Sequence, residues 1–305
     1  LFGEQLSLPA VSVDQILRNQ LGILCRVFGV AQMPLGLAGP MRVNGEHANG
    51  DFYVPMATTE GTLVASYSRG MKLLNACGGV TTTVVEKYMQ RSPVFSFADS
   101  RQSREFGAWV IANFAAIKQA AETTTRIGKL SHIEQYQVAR LRYLRFNYTT
   151  GDAAGQNMVG KATLAACEWI QDNYPVPYSW TLSGNIDTDK KHSQMNLMHS
   201  RGTRVVAEAT IPNAVLKQAM GVDTRTLYRQ RQISNVGAML AHAANNGAHA
   251  ANGIAAVFIA TGQDEANVAD GKVTEQGLAL LRDKLPFADV DAFAEDPSVV
   301  KVPEL

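Results

Sequence analysis

Apolar and polar positions repeat with two different periods along this chain, and these periods predict helices and strands. Apolar side chains recur at helical spacing in three stretches, at about 58–77, 104–122 and 155–173. Alternating or short apolar runs, typical of strands, occur at 141–148, 178–182 and 204–211. Within 144–148 every second side chain is apolar, so one face of that strand is apolar and the other carries Arg145 and Asn147.

Other segments have weaker patterns. Residues 33–45 are punctuated by Pro and Gly, which predicts loop and turn. Residues 235–253 are rich in Ala, Gly and Asn, which predicts closely packed helices or helices broken at Gly247 and Gly253. Beyond residue 271 we expect one short amphipathic helix, at 274–285, and then an acidic tail with little to bury.

The predicted helices and strands are mixed without regular alternation, which favours an α+β fold over a doubly wound sheet. Residues 95–182 contain helix, strand and helix. We therefore expect this middle segment to form a separate small domain.

The composition fits a globular protein. Of 305 residues 46% are hydrophobic and 18% are charged, and the net charge of +1 gives no field that favours nucleic acid or a membrane surface. No apolar run approaches the roughly 20 residues of a spanning helix, and the first residues lack a signal-peptide pattern. The three cysteines form neither a disulfide framework nor a zinc motif, which predicts a reducing cytoplasm.

Glu60 stands at the start of the first predicted helix, among apolar neighbours. If this helix start is buried, the pKa of the carboxyl rises and Glu60 can donate a proton near neutrality. The alternative is a surface carboxylate that stabilises the helix N-terminus.

Lys190 and Asp264 are the other candidates for chemistry. Lys190 lies in a polar loop after a predicted strand, where its ammonium could stabilise an oxyanion or could simply be solvated. Asp264 follows an apolar run, where it could face a site or only cap the next helix. If the fold brings them to Glu60, the three groups can polarise a carbonyl and move a proton.

Residues 151–157 form a glycine-containing turn between a predicted strand and a predicted helix. Backbone amides at such a helix start can bind phosphate, although an ordinary turn has the same pattern and the chain has no G-x-G-x-x-G fingerprint. Arg126 could read a 2′-phosphate only if the fold brings it to this turn. The six histidines make no metal-binding pair, so no metal is predicted.

Four segments together resemble the 3-hydroxy-3-methylglutaryl-coenzyme A (HMG-CoA) reductase family, over about residues 25–270. They are Met56-Ala57-Thr58-Thr59-Glu60-Gly61, Thr150-Gly151-Asp152-Ala153-Ala154-Gly155-Gln156-Asn157, Asp187-Thr188-Asp189-Lys190-Lys191 and Ala260-Thr261-Gly262-Gln263-Asp264. The lysine-bearing loop looks like the class I form of the family.

The resemblance implies an NADPH-dependent reduction of HMG-CoA to mevalonate and free coenzyme A through two hydride transfers. Carried over by motif, Lys190 would stabilise the thiohemiacetal oxyanion and Glu60 would donate the proton. Asp264 would link and tune the two.

The resemblance also implies binding roles for further residues. The hydroxymethylglutaryl part of the substrate would contact Arg91, Ser183, Asp189, Lys191 and Asn252, and coenzyme A would approach Ser66 and Arg69. NADPH would be held, without a Rossmann fold, by Thr125, Arg126, Asp152, Gly155 and Asn157.

The implied architecture is a large domain, residues 1–94 and 183–305, interrupted by a small ferredoxin-like domain at 95–182 that binds NADP(H). The sites would lie between the subunits of a homodimer or higher homo-oligomer. Lys190 would come from the loop that joins the two domains.

Three departures from the family pattern leave alternatives open. Residues 25–29 replace a motif linked to dimer contacts, and Ile233 stands where the family has a substrate-binding lysine. No histidine follows Asp264, so we expect the last part of the large domain to be truncated. The alternatives are a catalytically impaired homologue that binds coenzyme A esters or NADP(H), and a reductase of a related acyl-CoA.

Overall fold

A computed structural model describes residues 31–243 and 250–269, together with the backbone of residues 299–301. Contacts within the chain separate residues 1–34 from residues 35–305, and the elements below belong to the second unit. The motif at 25–29, the break at Gly247 and the helix predicted at 274–285 lie outside the described residues. No helix in the described ranges is both long and apolar enough to cross a membrane.

Strands and helices follow one another irregularly, which makes the fold α+β. The first half of the order is β1 (Leu35–Gly45), β2 (Asn49–Ala57), α1 (Gly61–Ala76), β3 (Val80–Arg91), β4 (Val94–Ser96), α2 (Ser100–Ala112), α3 (Phe114–Glu122), β5 (Lys129–Val138) and β6 (Leu141–Thr149). The second half is α4 (Gln156–Asn173), β7 (Ser179–Thr181), α5 (Gln194–Met198), β8 (Gly202–Glu208), β9 (Thr210–Pro212), α6 (Asn213–Met220), α7 (Thr224–Leu240), α8 (Ala250–Ala260), a 3-10 turn (Glu265–Asn267) and β10 (Val299–Lys301).

The first sheet region consists of β2, β1, β3 and β8, in that order. β1 pairs antiparallel with β2 and parallel with the start of β3, whose other edge pairs antiparallel with β8. Its core is small: Leu63 of α1 packs with Met56 of β2, Ala38 of β1 and Ala256 of α8. This packing fixes the start of α1, and therefore Glu60, against one end of the sheet.

The second sheet region consists of β5, β6, β4 and β7, in that order, and every neighbouring pair is antiparallel. Its chain order is strand, two helices, two strands, helix, strand. The end of β3 pairs with β6 beside β4, so this one long strand runs through both regions.

The helices α2, α3 and α4 cover one face of the second sheet region and enclose a large apolar core. Phe106 of α2 is fully buried, with its ring centroid 4.8 Å from Phe95 and 4.9 Å from Tyr174. Leu144 and Phe146 of β6 enter the same core because alternate strand residues share a face. The predicted strand at 141–148 and the predicted helix at 155–173 are confirmed.

The opposite face of the second sheet region is also covered, which the alternation in β6 did not predict. Arg145 and Asn147 are buried, and His199 and Ser200, which follow α5, contact the polar side chains of this face. Glu134 binds Arg145 at 3.0 Å and His199 at 3.1 Å, and Gln90 donates to the carbonyl oxygen of Ser200 at 2.6 Å. A buried polar layer therefore joins this sheet to the segment that follows α5.

Two predictions of local structure were wrong. The segment predicted as loop at 33–45 is largely strand β1, whose ladder with β2 is interrupted between Ala38 and Met41. Pro40, which has no N–H to donate, lies in that interruption. The single helix predicted at 104–122 is two helices, because the chain turns at Asn113. Further on, α8 continues through Gly253 instead of breaking there.

Candidate active site

Lys190 and Asp264 form an ion pair between the loop after β7 and the turn after α8. The two side chains are 39% and 41% exposed, so the pair is open to a ligand from solvent. The hydrogen bond between them raises the pKa of the Lys190 ammonium and lowers the pKa of the Asp264 carboxyl. Both groups are therefore charged near neutral pH.

The loop that carries Lys190 is held in a shape that its sequence alone does not favour. Asn185, Thr188 and Lys190 all have left-handed backbone conformations, with φ of 67°, 53° and 57°. Such conformations are uncommon for residues with a side chain and persist where surrounding contacts fix them. The hydroxyl of Thr188 donates to the side-chain oxygen of Asn196 at the start of α5, and this bond is one of those contacts.

Asp187 is a second anchor of this loop and a residue that the sequence reasoning missed. Its carboxylate is 1% exposed, accepts a hydrogen bond from the Ser183 hydroxyl at 3.3 Å, and lies 3.5 Å from Arg91 Nη1. Ser183 and Arg91, both predicted to bind substrate, thus meet at one buried acid. Arg91 Nε is buried without a partner among the described residues. The one sequence signal for Asp187 is that it is the first residue of the motif Asp187-Thr188-Asp189-Lys190-Lys191.

Asp189 is held by partners from distant parts of the chain. Its Oδ1 atom accepts hydrogen bonds from Gln156 at the start of α4 and from Arg201 Nη2, the latter at 2.8 Å. Its carbonyl oxygen accepts a hydrogen bond from Lys191 Nζ at 3.0 Å. Two residues predicted to hold substrate are therefore in contact with each other, and Gln156 and Arg201 are partners that the sequence did not reveal.

Glu60 lies at the other end of the candidate site. It is the cap residue of α1 and is exposed in the single chain, so of the two alternatives for Glu60 the apolar neighbours do not bury it there. Those neighbours, Met56 and Leu63, face the core beneath the helix instead. Asn252 of α8 donates to Glu60 Oε2 at 2.7 Å. Within the described residues, no ion pair joins Glu60 to Lys190.

Ser66 and Arg69 lie one helical turn apart on α1, downstream of Glu60, and Arg69 is exposed. An apolar cleft of about 260 Å³ opens close to this helix, between β2, α1 and α8. Its lining includes Tyr67 and Gly253, which touch so closely that a Cβ at residue 253 would lie 2.0 Å from the tyrosine hydroxyl. Gly253 therefore sets the approach of α8, and of Asn252, to α1.

The residues predicted to hold a nucleotide come from two adjacent loops of the second sheet region. The Thr125 hydroxyl contacts Met158 Sδ at 3.0 Å, and a Cβ at Gly151 would lie 2.8 Å from the side chain of Ile127. Arg126, which is exposed, thus lies between two residues that approach Met158 and Gly151, at the two ends of the turn. Proximity of Arg126 itself to the turn, the condition set by the sequence, stays a prediction.

The turn itself has the backbone shape that its glycines suggest. Gly155 caps α4 with φ of 82°, and a Cβ at this position would lie 2.4 Å from Thr150 Cγ2. Asp152 and Asn157 are exposed on either side of it. The surface around the start of α4 is therefore open to solvent. Among the described residues, no group of three His, Cys, Asp or Glu side chains is placed to hold a metal ion.

Comparison with known proteins places these motifs in one family. Residues 9–284 match the family model for hydroxymethylglutaryl-coenzyme A reductase. The chain is 39% identical over 247 residues to the 3-hydroxy-3-methylglutaryl-coenzyme A reductase of Pyrococcus horikoshii and 43% identical over 244 residues to that of Halobacterium salinarum. Each alignment covers 80% of this chain and 60% of the relative, so the chain spans well under two thirds of their length.

Solved structures show the same fold. The chain superposes on 3-hydroxy-3-methylglutaryl-coenzyme A reductase of Streptococcus pneumoniae with a TM-score of 0.62 and 21% identity, covering 88% of this chain and 68% of that one. A class II enzyme from the same organism, bound to NADPH in open conformations, gives a TM-score of 0.63 at 20% identity, covering 88% and 74%. Together with the family match, these similarities show that the chain belongs to the hydroxymethylglutaryl-coenzyme A reductase family.

Proposed function

We propose that this protein reduces HMG-CoA to mevalonate and coenzyme A with NADPH as the electron donor. The Lys190–Asp264 ion pair carries the proposal, because it joins two of the four family motifs through their charged side chains. Membership of the reductase family, with relatives about 40% identical over most of this chain, supports the same reaction.

In this proposal Lys190 polarises the thioester carbonyl. A lysine ammonium has three N–H donors, so one can remain on Asp264 while another donates to the substrate oxygen. As the carbonyl becomes a thiohemiacetal, negative charge develops on that oxygen, and a positioned donor stabilises it by roughly 3–4 kcal/mol. Asp264 keeps the ammonium charged, since the hydrogen bond between them raises the lysine pKa.

Glu60 is the proton donor in the proposed mechanism. Asn252 donates to its Oε2 atom, so a proton carried by Glu60 would reside on the other oxygen. The substrate's carboxylate would be held near Arg91, Ser183, Lys191 and Asp189. Arg91 has a buried Nε–H without a partner among the described residues, which is a donor that an anionic ligand could use.

NADPH would be held by Thr125, Arg126, Asp152, Gly155 and Asn157. The residues fit such a group: the first turn of α4 has backbone amides that no side chain of the cap residue Gly155 occupies, and glycine at position 155 has no side chain to block the approach to them. The exposed guanidinium of Arg126 suits a 2′-phosphate. Each NADPH, when bound, supplies one hydride, and the reaction uses two NADPH in succession. Coenzyme A would extend along α1 past Ser66 and Arg69.

We further propose that residues 95–182 form a small ferredoxin-like domain with a nucleotide site that is not of the Rossmann type, set into a large domain made of residues 1–94 and 183–305. The strand order β7-β4-β6-β5, and the chain order of strand, helices, two strands, helix and strand, support this division. A homodimer is part of the proposal, because Glu60 is exposed in the single chain and a second copy could enclose it.

The experiment is NADPH oxidation by the full-length protein with HMG-CoA, followed by absorbance, with mevalonate and free thiol measured as products. We expect two NADPH consumed per mevalonate formed. Tight binding of HMG-CoA and NADPH by calorimetry without any turnover would contradict the proposal and favour a binding homologue.

A related acyl-CoA is the second candidate substrate, and the observation that favours it is Ile233. This residue stands where the family has a lysine, and its side chain is 56% exposed on α7, so it cannot pair with a substrate carboxylate. The same assay with an acyl-CoA that lacks the distal carboxylate discriminates the two. We expect HMG-CoA to give the higher kcat/KM, and the opposite order would favour the second candidate.

A further inference from the structure

Gln156 connects the proposed nucleotide site to the loop that carries Lys190. It is the first residue of α4, between Gly155 and Asn157, and its amide nitrogen donates to Asp189 Oδ1. Asp189 immediately precedes Lys190 in the chain. One side-chain hydrogen bond therefore spans the distance between the turn at 151–157 and the lysine loop.

Asp189 is held from the other side by a buried cation. Arg201, whose side chain is 2% exposed, donates to the same Oδ1 atom at 2.8 Å and to the carbonyl oxygen of Gln90 at 3.2 Å. Gln90 belongs to β3, the strand that runs through both sheet regions. Arg201 therefore ties Asp189 to the rigid sheet, while Gln156 ties it to α4.

The lysine loop needs such ties to keep its shape. Its left-handed residues include Lys190 itself, and a backbone in that conformation relaxes when its side-chain contacts are lost. A hydrogen bond to an ionised carboxylate is among the stronger ones in proteins. Loss of the Gln156 contact would therefore remove a side-chain donor from Asp189, beside Lys190 with its left-handed backbone.

We propose that Gln156 is a positioning residue that couples nucleotide occupancy at the start of α4 to the placement of Lys190. This inference rests on the proposed function. A nucleotide that orders the turn at 151–157 also orders Gln156. Gln156 then holds Asp189, and with it the backbone of Lys190, in a fixed position. The chain would thus present its carbonyl-polarising ammonium most firmly when the hydride donor is bound.

Hydrogen exchange tests the coupling without requiring turnover. Amides of residues 183–193 in the full-length protein are measured with and without NADPH, in the wild type and in Gln156→Met, which keeps the side-chain length and removes the donor. We expect NADPH to slow exchange in the wild type at least about threefold and to have no such effect in Gln156→Met, since loop protection reports local opening. Equal NADPH protection in both proteins, or none in the wild type, would overturn the proposal.

Kinetics separate positioning from a purely structural role. In Gln156→Met we expect kcat to fall about tenfold, the loss typical of one hydrogen bond to a charged group, with the Kd for NADPH unchanged within about twofold. Gln171→Met is the matched control, because Gln171 is another glutamine of α4 and binds Trp180 at 3.0 Å, away from Asp189. It should keep wild-type kcat.

The outcomes distinguish this inference from the proposed function. If the wild type binds NADPH but turns over no HMG-CoA, the proposed function fails while the exchange experiment still decides the coupling. If Gln156→Met keeps wild-type kcat, or loses no more than Gln171→Met, the coupling is wrong and the reductase activity stands. Gln156→Ala is the second variant should the methionine disturb folding, and the same expectations apply to it.

Discussion

The two sheet regions differ in how completely one chain covers them. In the second region, α2, α3 and α4 enclose Phe95, Phe106 and their neighbours on one face, and a polar layer around Arg145 is buried on the other. In the first region, Leu35 and Tyr53 of β1 and β2 are 55% and 60% exposed. The apolar core there contains few fully buried side chains among the described residues.

This difference separates the second region, which is covered on both faces and is called the closed region here, from the first, which is called the open region. The proposed NADPH residues lie on the closed region, whereas Glu60 and Asn252 lie at the open one. A site that needs a second protein surface to exclude water is consistent with the open region, because burial strengthens every charge interaction in a catalytic site. The comparison therefore predicts which substitutions lower the free energy of unfolding and which affect the association of two copies of the chain.

The largest effect should come from Phe106→Ala. Removing a fully buried ring from the closed core should lower the free energy of unfolding by about 3–5 kcal/mol, measured by urea denaturation. Phe52→Ala is the matched control, since Phe52 of β2 is 41% exposed, and it should cost less than about 1 kcal/mol. A large loss for Phe52→Ala would show that a second copy or another segment covers the open region in solution.

Glu134→Gln tests the polar face of the closed region. It leaves the guanidinium of Arg145, which has no exposed side-chain surface, without its carboxylate, and this should cost about 3 kcal/mol at neutral pH. Glu168→Gln, at an exposed position of α4, is the control and should change stability by less than about 0.5 kcal/mol.

The same variant tests how the free energy of unfolding depends on pH. Burial tends to raise the pKa of Glu134, but the charge and hydrogen bond of Arg145 outweigh burial and lower it. The folded pKa is therefore below the unfolded one, so the stabilisation is fully present above about pH 4.3 and is lost as the pH falls through the folded value. Urea titrations from pH 7 downwards should show this loss in the wild type, and Glu134→Gln should have a flatter profile. Identical profiles would contradict the assigned pairing.

A smaller effect is expected from Gly155→Ala, where the closed region meets the proposed cofactor. At Gly155 φ is 82°, and an added Cβ would lie 2.4 Å from Thr150 Cγ2, so we expect the free energy of unfolding to fall by about 1–2 kcal/mol and NADPH binding to weaken. Gly160→Ala, on the same helix with no neighbour within 4 Å of its Cβ, should stabilise the protein by about 0.5–1 kcal/mol. If fluorescence titration gave equal NADPH affinity for the two variants, Gly155 would not be part of the NADPH site.

The sequence predicted best where a pattern is local. The apolar spacing of α1 and α4 and the alternation in β6 identified those elements, because each follows from one helix or strand packing one face. Residues 33–45 were misread since glycines and prolines that usually mark turns here lie in a strand with an interrupted ladder. Whether such a segment forms a strand depends on its pairing with β2, and the local sequence pattern holds no information about that pairing.

The candidate site was predictable in its motifs and not in its contacts. Lys190 and Asp264 were paired from the family resemblance, and the structure brings their charges together. Arg201 and Gln156, in contrast, lie far apart in sequence, and the fold brings both to Asp189. The exposure of Glu60 also followed from tertiary packing, since the apolar residues around it turn inward while its own carboxylate does not.

The role of Lys190 as the oxyanion partner is tested most directly by steady-state NADPH oxidation in Lys190→Met, with the exposed Lys161→Met as control. We predict that kcat falls by about 10²–10³-fold, with HMG-CoA affinity by calorimetry nearly unchanged and the control at wild-type rate. A Lys190→Met protein that keeps most of its turnover would contradict the account.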